Sequence, residues 1–141
     1  MTLSTLTVVA AALINPQNEL LLSCRPEGKM MAGFWEFPGG KIEPFESPEQ
    51  ALARELLEEI GIHTTAENMV PAHFASHAYE SFHLLMPLFL IRHWTGTPTP
   101  LEGQTLQWLP LDQINTALMP PPDGPLVDRI KELVDKGTKA F

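Results

Sequence analysis

Three glutamates, Glu55, Glu58 and Glu59, stand at spacings of i, i+3 and i+4. On a helix of about 100° per residue they fall at about 0°, 300° and 40°, while Leu52, Ala53, Leu56, Leu57 and Ile60 occupy roughly 60° to 200°. Such a helix has one oily side and one acidic side. Like charges at these spacings repel, and a bound cation turns that cost into a use. Magnesium takes oxygen ligands, commonly one or two carboxylates plus phosphate oxygens, and manganese shares the preference. Glu46 could reach the same space, and Arg54 can pair with Glu58 at i+4. The same acids also fit a solvated face with an incidental ion pair, and the helix by itself does not choose.

The segment before the helix bears on that choice. Gly39 and Gly40 permit close backbone approach, so that a carbonyl or amide can stand beside the acidic face where a diphosphate or a metal would sit. Lys41 adds a candidate phosphate contact. The helix itself is strongly signalled: Ser47 as N-cap, Pro48 at the first position, Gln50 placed for a capping box, and Gly61 as the stop.

Around this helix the pattern predicts strands. Leu6–Ile14 and Glu19–Ser23 flank the turn residues Asn15 to Asn18 and read as a hairpin. Arg25–Gly33, with Pro26, Gly28 and Gly33, reads as a mobile loop, followed by an extended piece from Phe34 to Phe37. His73–Tyr79, Phe82–Arg92 and Gln104–Leu109 read as further strands, Leu111–Ala117 as a helical turn, and Leu126–Val134 as an amphipathic helix led in by Pro120 to Pro122. Strands on both sides of a central helix indicate a mixed α/β domain.

The bounds agree with a small-ligand enzyme. A chain of 141 residues, 44% hydrophobic and 18% charged, suits one globular domain spanning 1–141. Seventeen acids against nine Lys and Arg give a net charge of -8, which opposes tight binding to long nucleic acid but not to a small phosphorylated ligand that brings its own cations. Cys24 is the only cysteine, no apolar run reaches the roughly 20 residues of a membrane span, and the Met1 to Ala12 stretch lacks the features of a secretory signal. A cytoplasmic location is expected. Five histidines show no compact metal spacing.

Gly40, five residues, Glu46, seven residues, and then Arg54-Glu55-Leu56-Leu57-Glu58-Glu59-Ile60-Gly61-Ile62 match the Nudix box without a mismatch. Together with Trp35 to Lys41 and the order of strands, the chain resembles the MutT-like branch of the Nudix hydrolase superfamily. The resemblance implies an α/β/α sandwich with a mixed central sheet and a loop-helix-loop metal site. It implies Glu55, Glu58 and Glu59 as ligands of magnesium, with manganese as a substitute, and a carbonyl from Gly39 or Gly40. Glu46 and Arg54 would support the site, and Glu102 would enter from a later loop. The implied reaction is hydrolysis of a nucleoside triphosphate, such as 8-oxo-dGTP, to the monophosphate and pyrophosphate by water attack at the β-phosphorus. Glu55 is the first choice of base and Glu102 the second.

The substrate-side residues that follow are Arg25, Glu36, Phe37, Lys41 and Asp123. Phe37 and Leu84 would give apolar faces to a base, or simply pack in the core. The MutT pattern carries an asparagine where this chain has Asp123. An ionised aspartate accepts only, so the departure bears on selectivity for an oxidised base; capping of the last helix is the other reading of Asp123. CTP, dCTP and dinucleoside polyphosphates stay open as substrates, the last through Tyr79, as do a non-catalytic nucleotide-binding module and either a monomer or a homodimer. Retention of every acid in the box favours the enzyme.

Overall fold

The computed structural model describes residues 4–28 and 32–135. Residues 29–31 of the expected mobile loop lie outside the described residues. Among the described residues, nine strands and α-helices follow in order: β1 (Ser4–Leu13), β2 (Glu19–Cys24), β3 (Trp35–Glu36), β4 (Gly39–Lys41), α1 (Pro48–Ile60), β5 (Met69–Ala78), β6 (Phe82–Ile91), β7 (Thr105–Pro110) and α2 (Asp123–Asp135).

Strands β4-β1-β6-β5 form a mixed sheet in which β1 and β6 run parallel and the other pairs antiparallel. A second, antiparallel sheet has the order β3-β2-β7. The expected hairpin therefore does not form along its length: β1 and β2 share only the bridge Ile14 to Leu20, and then part into different sheets. Both edges of β1 are taken, by β4 and by β6. Leu20, Leu21 and Leu22 are all buried, so β2 must be covered on both of its faces, which a hairpin lying on one sheet would not provide.

Alternation along β1 splits the core in two. Ala10, Ala12 and Ile14 pack with Leu88, Leu90 and the α2 residues Leu126, Val127 and Ile130. Val9, Ala11 and Leu13 pack with Leu52, Leu56 and Ile60 of α1 and with Phe89 and Ile91. Successive side chains of a strand point to opposite faces, so each helix covers one side of the larger sheet. Leu57, expected on the oily arc of α1, is exposed instead; at about 200° it stands at the rim of that arc.

The ends of α1 follow the sequence signals. The Gln50 N–H donates to Ser47 Oγ and the Ser47 N–H donates to Gln50 Oε1, closing a capping box. Gly61 takes φ 71° and ends the helix. Strand β5 starts earlier than expected, at Met69, and its register shifts between Pro71 and His73. Proline within a strand is tolerated at a sheet edge, where β5 lies. The expected turn at Leu111–Ala117 is a pair of short 3-10 turns, Leu111–Gln113 and Thr116–Leu118. Helix α2 begins at Asp123, a turn before the expected start, because Pro125 in the first turn has no N–H to lose from the helix ladder.

Candidate active site

A cleft of about 830 Å³ lies where the two sheets part, and its lining draws residues from Leu6 to Asp123. Its acidic end holds Gly39, Gly40, Lys41, Glu59, Glu102 and Gln104. Its other end holds Glu36, Phe37, Tyr79, Leu84 and Asp123, with Arg25 also in the wall.

Arg54 organises the outer part of the acidic face. Its Nε and Nη2 donate to the two oxygens of Glu46 at 2.8 and 2.9 Å, its Nη1 donates to Glu55 Oε1 at 2.9 Å, and its Nη2 also donates to the Lys41 carbonyl at 3.0 Å. The expected i+4 partner Glu58 is a longer contact, 3.5 Å, on an exposed side chain. The forked hydrogen bonds from Arg54 hold the Glu46 carboxyl down at about 2. Arg54 in turn is pushed upward by Glu46 first and then by Glu55.

Glu59 sits deeper. Burial pushes its carboxyl up to about 8, with Glu55 and Glu102 adding to the push and the Gly39 N–H, 3.3 Å from Oε2, opposing it. A β-carbon at Gly40 would collide with the Glu55 carboxylate, so residue 40 must be glycine for that carboxylate to lie where it does. A β-carbon at Gly39, φ 156°, would collide with the Val9 carbonyl. Among the described residues, no three acidic, His or Cys side chains converge into a ready ligand group. Glu55 and Glu58 are instead drawn to Arg54.

At the other end, Asp123 is 2% exposed, and burial followed by the charge of Glu36 raises it to about 7. Glu36 is raised by burial, against the lowering effect of Arg25. Arg25 Nε lies 2.9 Å from Glu36 Oε1, yet that buried oxygen has no partner with hydrogen-bond geometry. Phe37 is both buried in the core and part of the cleft wall. Leu84 is likewise both. Tyr79 stacks on Phe82, ring centroids 4.9 Å apart, and is raised by burial first and then by Asp123 and Glu36.

The sequence reading missed the wall residues Leu6, Val8, Met86 and Phe82. Their alternation along β1 and β6 was the available signal. Gln104 was missed too; its side chain bonds the Glu102 N–H and the Glu59 carbonyl, a link that no spacing reveals.

A partly buried acidic helix face beside a glycine-lined strand, opening onto a cleft with apolar walls, is an arrangement suited to a phosphorylated small molecule. A NUDIX domain model matches residues 9–129, and the chain belongs to that family; it is a Nudix hydrolase. An 8-oxo-dGTP diphosphatase of Escherichia coli is 35% identical over 133 residues, covering 91% of this chain and 98% of the relative. A CTP pyrophosphohydrolase of the same organism is 37% identical over 125 residues, covering 89% and 91%. The solution structure of the E. coli ORF135 protein superposes with a TM-score of 0.81 at 31% identity, covering 95% of this chain and 94% of that one. Among the described residues no helix is long and apolar enough to cross a membrane.

Proposed function

We propose that this Nudix hydrolase is a metal-dependent nucleoside triphosphate diphosphatase that cleans oxidised nucleotides such as 8-oxo-dGTP from the nucleotide pool. The observation that carries the reading is the single cleft that connects Glu59 and Glu102 with Glu36 and Asp123. A triphosphate at the acidic end and a base at the apolar end would fill it, and its volume is that of a small-molecule site.

The residues present fit magnesium. The donor set is all oxygen, burial first and then the charges of Glu55 and Glu102 raise Glu59 to about 8, and glycine at position 40 leaves room for the Glu55 carboxylate. Glu55, Glu58, Glu59 and Glu102, with a carbonyl of Gly39 or Gly40, would hold the cations. An incomplete protein shell suits a hard cation that takes substrate phosphate oxygens as its remaining ligands. Bound magnesium or manganese supplies neutralisation of the polyphosphate and a lowered pKa for the attacking water.

Within that frame, Glu55 accepts the proton of the water, with Glu102 the second choice, and Arg54 fixes the Glu55 carboxylate through the 2.9 Å hydrogen bond. Water attacks the β-phosphorus, its bond to the bridging oxygen breaks, and the nucleoside monophosphate leaves with that oxygen as pyrophosphate forms. Lys41 and Arg25 face the phosphates as cations. Phe37 gives the base an apolar wall, while Glu36 and Asp123 read its edge.

A second reading, a cytidine triphosphate, is favoured by that pair of acids. Glu36 Oε1 is a buried acceptor already ion-paired with Arg25 at 2.9 Å, and a carboxylate oxygen has capacity left to accept from an exocyclic amino group. Asp123, raised to about 7, can also donate when protonated, to a ring nitrogen or a carbonyl. Similarity to a CTP pyrophosphohydrolase supports the same reading.

The deciding experiment measures monophosphate and pyrophosphate release with magnesium from 8-oxo-dGTP, dGTP, CTP, dCTP, a diadenosine polyphosphate and ADP-ribose, and compares kcat/KM. Preference for 8-oxo-dGTP over dGTP supports the cleaning role. Best turnover of CTP or dCTP moves the substrate and keeps the chemistry, and products other than the monophosphate and pyrophosphate from a nucleoside triphosphate overturn the attack at the β-phosphorus.

A further inference from the structure

We propose that Gln104 is a positioning residue, whose side-chain amide clasps the loop carrying Glu102 onto the last turn of α1 so that Glu102 faces Glu59 across the cleft. The proposal rests on the reading above that Glu102 takes part in the site.

The last carbonyls of a helix have no partner within it. Here the loop supplies partners: Thr99 N–H donates to the Ile60 carbonyl at 2.9 Å, and Leu101 N–H donates to the Glu59 carbonyl at 3.0 Å. Beyond Leu101 the backbone turns away through Gly103, φ 76°, and the backbone bonds to α1 stop. Residues 101 to 103 are exposed, so packing does little to hold them. Gln104 makes up the deficit with both ends of one amide. Its Nε2 donates to the Glu59 carbonyl at 3.0 Å, and its Oε1 accepts from the Glu102 N–H at 2.8 Å.

The Glu59 carbonyl thus accepts twice, from Leu101 and from Gln104, and both of its lone pairs are used. The residue whose side chain lines the acidic end also anchors, through its main chain, the loop that brings in Glu102. Only a side chain with a donor and an acceptor on one planar group can bridge the two points. A glutamate would keep the acceptor for Glu102 and lose the donor for Glu59.

The test uses Gln104→Met, which keeps length and loses both bonds, and Gln104→Glu, which keeps one. Amide exchange at Glu102 is read without metal or substrate, Mn2+ binding is read by water-proton relaxation, and kcat/KM is measured in Gln104→Met, Glu102→Gln and the double variant. The expected results are about tenfold faster exchange at Glu102 in Gln104→Met, with much of the protection kept in Gln104→Glu, and Mn2+ affinity and kcat/KM each lower by about tenfold. In the Glu102→Gln background, Gln104→Met should then cost nothing further. Unchanged exchange at Glu102 overturns the clasp while leaving the proposed chemistry standing, and an additive double variant overturns action through Glu102. A Glu102→Gln enzyme with wild-type turnover and Mn2+ affinity overturns the role given to Glu102, and the positioning role with it, even where exchange shows the clasp intact.

Discussion

Gly40 and Glu55 share one space: the position a β-carbon of residue 40 would occupy is filled by the Glu55 carboxylate. The neighbour Gly39 meets main chain instead, at the Val9 carbonyl. The two glycines therefore answer to different demands, although they are adjacent on β4.

Gly40→Ala should displace a flexible side chain and leave the fold within about 1 kcal/mol of wild type, while turnover falls by about 10²-fold through misplacement of Glu55. Gly39→Ala should force β4 away from β1 and cost about 1–3 kcal/mol. Thermal unfolding and kcat/KM of the two variants check this, and equal loss of stability in both would refute the division.

Glu55→Gln should fold and unfold as the parent does, because its side chain bonds Arg54, which keeps Glu46 as a partner. Turnover should fall by about 10²- to 10⁴-fold, the usual contribution of a general base. Preserved turnover would remove Glu55 from that role.

Without divalent cations, stability should fall as pH rises. Glu59 is raised from its ordinary 4.5 to about 8, and Asp123 from 3.8 to about 7, so the folded chain holds more protons than the unfolded one between those limits. Their contribution is fully present below the ordinary values and is lost as pH climbs through the raised ones, at a slope of at most about 1.4 kcal/mol per pH unit for each group. Glu46, lowered to about 2, acts in the opposite sense, but only in acid. Melting temperature measured in EDTA should decline from mildly acidic to mildly alkaline buffer, and magnesium should restore it most at the alkaline end. A flat or rising profile in EDTA would contradict the raised carboxyls.

Asp123→Asn should change which base is preferred. Below about 7 the aspartic acid can donate, and above it the aspartate only accepts, so the ratio of kcat/KM for 8-oxo-dGTP to that for CTP should vary with pH in the parent. In the asparagine variant the ratio should be insensitive to pH and altered by about tenfold, equivalent to about 1.4 kcal/mol. An unchanged ratio with the same pH profile would take Asp123 out of base reading.

What the sequence disclosed was local. The capping box at Ser47 and Gln50, the stop at Gly61 and the acidic face of α1 each depend on residues a few positions apart, and the helical period makes such relations visible. The partnership of β1 was not local. Turn residues 15 to 18 gave a hairpin signal, but the edges of β1 were claimed by β4 and β6, whose paired residues lie 29 and more positions away. The meeting of Arg25, Glu36 and Asp123 brings together the ends of β2, β3 and the start of α2, and the buried state of Asp123 comes from that convergence. The resemblance to a known family pointed to these residues, while their ion pair and raised carboxyls became visible only in the fold.

The two ends of the cleft differ in where they come from along the chain. Most of the acidic end is one continuous stretch, Gly39 to Glu59, braced internally by Arg54. The far end is assembled from β1, β3, β6 and the first residue of α2. If the base occupies that far end, as proposed, substitution of Asp123, Tyr79 or Met86 would retune what the cleft accepts without touching the segment that carries the acids. Under the proposed function, choice of substrate and chemistry would then be separable by substitution, the one in scattered walls and the other in a single contiguous segment.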